Sequence, residues 1–266
     1  MVYQSSFPHE STGHWLRRWL YQTLLRMGGR RVNAVLAVSP LGLSRASRFF
    51  GHASERTVIP LLADLPPSRQ GEPDMTSSQK LLRFVYVGTH RARRQLDVVL
   101  EGVVRALDDG ASAEFMFVGG LTTEIGELRK VGGVDRWERI GRIKFIKEIP
   151  RPQIPSVLTV ADVGLSLVPA TEINREMSPT KLAEYMGAGL AVLASDGVDL
   201  QKEIVRKSGA GVLVEFEAKE IGDAITSLVQ CPDRIVEFKQ HALEYSEKHL
   251  RYENYVPAFK QALEVE

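Results

Sequence analysis

The sequence predicts an α/β protein built on a doubly wound parallel sheet, and three observations predict it. Beyond residue 81, six short apolar runs alternate with segments of helical length. The runs are apolar throughout rather than at every second position, the pattern of strands covered on both faces. The segments between them are long enough for the crossovers that parallel neighbours require.

Taken in order, Met1 to Gln4 reads as a short strand and SSFPHESTG as a loop. Residues 13–29 have helical periodicity, with Trp15, Leu16, Trp19, Leu20, Leu24 and Met27 on one face. VNAVLAVS (32–39) reads as a buried strand, and Ser39-Pro40 as the N-cap and first position of a helix reaching Phe50. TVIPLL (57–62) is a further short strand. Residues 64–80, rich in Pro, Ser and polar side chains, form a linker between residues 1–63 and the rest. The six runs are LRFVYVG (82–88), EFMFVGG (114–120), IKFI (143–146), VGLSLVP (163–169), LAVLAS (190–195) and AGVLVE (210–215). Helices are expected near 95–107, 122–131, 152–161, 179–187, 198–206 and 217–229. They complete a strand–helix domain over 81–231, followed by an amphipathic helical tail over 232–266.

Composition excludes several classes. Of 266 residues, 44% are hydrophobic and 25% charged, as in ordinary globular proteins. One cysteine, Cys231, cannot form an internal disulfide and suits a reducing compartment. No apolar run reaches the roughly 18–20 residues that span a bilayer, and the start lacks a signal peptide's basic and apolar regions. A cytoplasmic protein is expected. A net charge of +1 argues against a nucleic-acid partner. The charge is uneven, however: residues 1–60 hold eight arginines and two acids, a net +6. The helix over 13–31 either lies on the inner membrane face as a peripheral contact or packs its apolar side on a sheet.

In open parallel sheets, ligands sit at the carboxyl ends of the strands. The segment after the fourth run reads EINREMSPTKLAEYMGAG (172–189). Ser178 suits an N-cap and Pro179 the first helical position, leaving the N–H groups of Thr180 and Lys181 beside the positive end of the helix dipole, a cradle for phosphate. Leu182, Tyr185, Met186 and Gly189 share the buried side, while Thr180, Lys181 and Glu184 are neighbours on another. The plain alternative is an ordinary capped helix whose exposed Lys181–Glu184 pair adds a few tenths of a kcal/mol, on the order of 0.3.

Glu176 and Glu184 are separated by seven residues, and SPTKLAEYMGAG between and after them resembles a Ser-Pro-x-Lys-Leu-x-Glu-Tyr-Met-x-x-Gly variant of glycosyltransferase family 4 (group 1). FVYVGTHRARRQLDVVLEGV (84–103), FMFVGG (115–120), IKFIKEIPRPQIPSVLTVADVGLSLVP (143–169) and GAGVLVE (209–215) resemble the same family in the same order. The resemblance implies a GT-B-type fold: a Rossmann-like donor domain plus, in residues 1–63, a partial N-terminal Rossmann-like domain. It implies a retaining glycosyltransferase that moves a sugar from a nucleotide-diphosphate donor to a glycan or lipid-linked acceptor, with no metal cofactor. Glu184 matches the glutamate that binds the ribose and Glu176 the one that contacts the transferred sugar. Arg94, six residues after Gly88, matches the lysine that neutralises the diphosphate. His9 falls where the family has a catalytic-site histidine, or is a plain loop histidine. THRARR either lines the diphosphate or is a solvated basic loop.

Thr89 stands where the family often has arginine; either Arg91 or Arg93 substitutes for it, or that contact is missing. Gly197-Val198 stands where many members have two glycines. Residues 1–63 resemble only the last part of the family's first domain, so the chain is expected to be a truncated frame or fragment. An inactive nucleotide-sugar-binding module is therefore the competing function. A dinucleotide oxidoreductase is excluded for want of a G-x-G-x-x-G motif after any strand.

Overall fold

The computed structural model describes residues 2–5, 15–29, 31–60, 62, 81–175, 177–178 and 180–264. His9, Glu176, Pro179 and the linker of 64–80 lie outside them. Residues 2–62 contain β1 (Val2–Ser5), α1 (Trp15–Gly29), β2 (Ala34–Ala37), α2 (Pro40–Phe50) and β3 (Glu55–Val58), and the strands form a parallel sheet in the order β1-β2-β3. Ser39 ends β2 because its hydroxyl accepts the Gly42 N–H (3.1 Å) and starts α2. The strand expected at 57–62 lies at Glu55–Val58 instead. Pairing with β2 sets its register, and Pro60 has no N–H to extend the ladder.

The second sheet has six parallel strands: β4 (Leu82–Val87), β5 (Ala113–Gly120), β6 (Ile143–Lys147), β7 (Val163–Ser166), β8 (Ala191–Ser195) and β9 (Gly211–Val214). Their order is β6-β5-β4-β7-β8-β9, so the chain winds outward from β4, then returns and winds the other way. The crossovers carry α3 (Leu96–Asp108), α4 (Thr122–Leu128), α5 (Val134–Arg139), α6 (Ile154–Leu158), α7 (Glu172–Arg175), α8 (Thr180–Gly187) and α9 (Asp199–Ser208). After β9 come α10 (Ala218–Gln230), α11 (Pro232–His249) and α12 (Val256–Glu264). The four-residue α7 and six-residue α5 lie where no helix is expected from the sequence, both too short for a periodic signal.

Strand alternation sends Phe84, Tyr86, Phe115 and Phe117 to one side, where they pack with α3 and α10. Val85, Val87, Val192 and Ala194 go to the other, against α8, α9 and α11. The tail carries two helices, as expected. α11 packs on α8, and α12 returns to the first sheet, where Ala262 meets Ala34 and Leu36. The apolar side of α1 faces outward: Trp19 is 59% exposed and Met27 74%. Leu25 and Gly29 instead turn toward the protein, against Phe49 and Phe50.

Among the described residues Gln95, at the start of α3, is the only non-glycine in the left-handed region (φ 48°). That conformation costs about 1–2 kcal/mol for a residue with a Cβ, of which glycine's chain entropy returns roughly half. Gln95→Gly is therefore expected to raise stability by about 0.5–1 kcal/mol in urea unfolding; an unchanged or lower midpoint contradicts it.

Candidate functional site

The site arises where β4 and β7 part. They pair only at Phe84↔Val163 and Val85↔Gly164, although β4 continues to Val87. Beyond the pairs, the Val87 N–H donates to the Tyr185 hydroxyl of α8 (2.9 Å). The tyrosine ring fits because residue 164 is glycine: a Cβ there would stand 2.3 Å from the ring. A side chain thus completes the backbone hydrogen bonding that the diverging strand gives up. The gap left above it is the crevice of a doubly wound sheet's switch point.

The crevice is lined by Tyr86, Arg94, Met177, Ser178, Thr180 and Lys181, over a floor of Leu165 to Val168 and Val198, and its cavity volume is about 90 Å³. Lys181 lies across Gly88, where a Cβ would meet its Cε at 2.4 Å. Gly119 packs equally closely under the Gly88 carbonyl, at 2.6 Å from a Cβ. Only bare backbone leaves room for the lysine. Arg94 reaches the crevice from the turn Ala92–Arg94, with a buried Nε that has no hydrogen-bond partner among the described residues. Burial first, and then the charge of Arg94, lower the Lys181 pKa, while Glu184 raises it. Glu184 sits one turn along α8, half-buried. Burial pushes its carboxyl upward, and Lys181 and Arg151 pull it back. Two cations beside the first turn of a helix, whose N–H groups have no intrahelical acceptor, favour an anion between them.

Beneath the floor lies a hydrogen-bonded group that the sequence did not reveal. Gln201 of α9 is fully buried. Its Oε1 accepts from the Ser166 hydroxyl (2.6 Å), and its Nε2 donates to the carbonyls of Ser166 (3.0 Å) and Ser195 (2.7 Å). The Ser195 hydroxyl donates to the Val168 carbonyl (2.7 Å) and accepts the Val168 N–H (2.9 Å). The ends of β7 and β8 are tied together below the crevice. Serines inside apolar runs are the only trace of this in the sequence.

Of the expected residues, the structure gathers Gly88, Arg94, Ser178, Thr180 and Lys181 at one crevice, with Glu184 beside it. Arg91 and Arg93 are both exposed, and neither lines the crevice. The loop turns between them, so Arg91 faces a separate groove with His90, Asp97 and Glu124. His90 is buried between Tyr86, Phe117 and Phe145, and burial pushes its pKa down to about 4. Its neutral ring is a packing element of the loop. Among the described residues no cluster of His, Cys, Asp and Glu could hold a metal ion, and no helix is long and apolar enough to cross a membrane.

A family model described as glycosyl transferases group 1 matches residues 82–231, more than half the chain. Sucrose-phosphate synthase from Thermosynechococcus elongatus superposes with a TM-score of 0.70 at 17% identity, over 98% of this chain and 66% of that one. HepE from Anabaena, solved in complex with UDP and glucose, gives 0.66 at 17% identity, over 99% and 70%. WaaG, a glycosyltransferase involved in lipopolysaccharide biosynthesis, gives 0.67 at 14% identity, over 99% and 74%. The chain thus spans about two thirds to three quarters of the length of these structures, and the likeness is one of fold: an α/β architecture of parallel sheets. No curated protein sequence matches the chain.

Proposed function

The chain belongs to the group 1 glycosyl transferases, and on that premise we propose that it moves a sugar from a nucleotide-diphosphate donor to an acceptor hydroxyl with retention of configuration. One observation carries the reading: Arg94, Lys181 and the first turn of α8 converge on the switch-point crevice. In the reaction the bond from the anomeric carbon to the phosphate oxygen breaks, and a bond to the acceptor oxygen forms as that hydroxyl gives up its proton. Negative charge builds on the departing diphosphate. Fixed cations and N–H dipoles stabilise that charge more than the ground state, which lowers the barrier without a metal. The nucleotide bound to HepE supports the donor class, and the glutamate pair supports retention. The acceptor is a glycan or a lipid-linked glycan, as in polysaccharide synthesis.

Within this reading Glu184 holds the ribose, Glu176 the transferred sugar, and His9 the reacting face. A ribose contact is the same in ground and transition states, whereas a contact at the reacting carbon strengthens as the bond breaks. Calorimetry with UDP, GDP and ADP is therefore expected to show Glu184→Ala binding about tenfold or more weakly. Glu176→Ala should bind as the parent does, with donor consumption reduced about a hundredfold or more. Absence of nucleotide binding removes the assignment, and the opposite behaviour of the two variants reverses the roles. A second reading is a nucleotide-sugar-binding module without turnover. Binding without donor consumption would identify it.

A further inference from the structure

We propose that Tyr185 is a positioning residue for the crevice: its hydroxyl fixes the end of β4 against α8 and so sets where Lys181 crosses Gly88. Its use to the chain rests on the reading of Lys181 as the cation that meets the diphosphate. The last residue of β4 and the glycine after it meet two residues of α8 that stand one turn apart. The Val87 N–H donates to the Tyr185 hydroxyl at 2.9 Å, and Lys181 lies over Gly88 beside it. Toward β5, the Gly88 N–H donates to the Val118 carbonyl at 2.8 Å. Successive N–H groups of a strand point to alternate neighbours. Gly88 is therefore held by the backbone of β5, and Val87, where β7 has diverged, by a side chain.

The hydroxyl is a fixed post. The Tyr185 ring is fully buried and fills the slot that Gly164 leaves in β7, and the Tyr185 carbonyl accepts the Leu190 N–H (3.0 Å) at the entry to β8. Burial pushes the phenol's pKa up, so the hydroxyl stays neutral and remains an acceptor for Val87. Tyr185 does not line the crevice and acts through Lys181. The place of Lys181 matters because charged groups from two elements bear on it: Arg94 from the turn after β4, and Glu184 from α8. The Tyr86 hydroxyl of β4 stands beside the same glycine, 3.1 Å from where a Cβ would be. A small displacement of the lysine alters both its reach to an anion and its own protonation.

The test follows the titration of Lys181 in the ligand-free chain by NMR with isotope-labelled lysine, its signal identified by its loss in Lys181→Arg. Tyr185→Phe keeps the ring in its slot and removes the hydroxyl alone. Its Lys181 is expected to titrate at higher pH, nearer an ordinary lysine, because the side chain moves away from Arg94 and toward solvent. Affinity for UDP, GDP or ADP should fall about three- to tenfold at neutral pH. Ile225→Val, a buried truncation in α10 on the other side of the sheet, is the control. Both variants should lower the thermal midpoint by about 2–4 °C, but the control should keep the parent's Lys181 titration and affinity. An unchanged Lys181 titration in Tyr185→Phe overturns the proposal, and so does an equal shift in Ile225→Val. A parent that binds no nucleotide while Tyr185→Phe shifts the Lys181 titration removes the donor reading and upholds the positioning.

Discussion

Lys181→Ala is expected to lower nucleotide-diphosphate affinity about 10- to 100-fold and turnover about 100- to 1,000-fold. The first figure is the loss of a charge-assisted contact of roughly 1.5–3 kcal/mol. The second is typical of removing one group that meets charge developing in a transition state. Arg94→Ala should behave alike, and the double variant should lose less than the product of the two. Lys181 and Arg94 repel each other in the free protein, and either substitution relieves that repulsion. The pH profile is a sharper check. Burial and Arg94 lower the Lys181 pKa, so affinity for a diphosphate should begin to fall at a pH below the range of an ordinary lysine. Lys181→Arg should move that fall to higher pH, because a guanidinium stays protonated. Titration calorimetry with UDP, GDP and ADP across pH tests both. An affinity that Lys181→Ala leaves unchanged would place the anion elsewhere.

Gln201→Leu is expected to destabilise the fold by about 2–4 kcal/mol, although the side chain touches no solvent. Leucine is nearly isosteric, so little packing is lost. The carbonyls of Ser166 and Ser195 would lose their donor and the Ser166 hydroxyl its acceptor, all in a buried place. Each orphaned buried group costs about 1–3 kcal/mol, less whatever the neighbours recover by rotating. Denaturant midpoints measure the total. Gln201→Glu separates the contributions. It keeps the acceptor toward Ser166 but replaces the donor amide by a buried acid, and should be worse than leucine. A change below about 0.5 kcal/mol for leucine would mean that the network is dispensable.

The donor sheet was legible because its signals are local. Six apolar runs punctuated by glycine gave five strands to within a residue or two, as at Leu82–Val87 and Ala191–Ser195, and the fourth run overshot its strand by three residues. The cradle was legible for the same reason: Ser178, Thr180, Lys181 and Glu184 fall within two helical turns, and periodicity alone places them together. Contacts distant in sequence left no comparable trace. Gln201 meets Ser166 across 35 residues, and Tyr185 meets Val87 across 98. Nothing in a one-dimensional pattern says that a glutamine will be buried or that a tyrosine will serve a strand. The loop of Gly88 to Arg94 was read in composition but not in direction: the sequence left open whether Arg91 or Arg93 meets the crevice, and Arg91 faces a separate groove. Likewise the periodicity of α1 defined an apolar side without saying which way it points.

The return of α12 to the first sheet has a mechanical consequence. The chain passes between the two sheets twice, once between Val58 and Leu82 and once at the break between His249 and Val256. Ala262 anchors the second passage against Ala34 and Leu36, and Gln261 donates to Glu55 at 3.1 Å. Two bodies joined by one strap can swivel freely, but two straps leave chiefly the axis through both attachment points. The first sheet is thereby held to the second at its C-terminal side as well, through α12. Because α11 packs on α8 and leads into that second passage, the helix that presents Lys181 and the first sheet share one continuous stretch of chain.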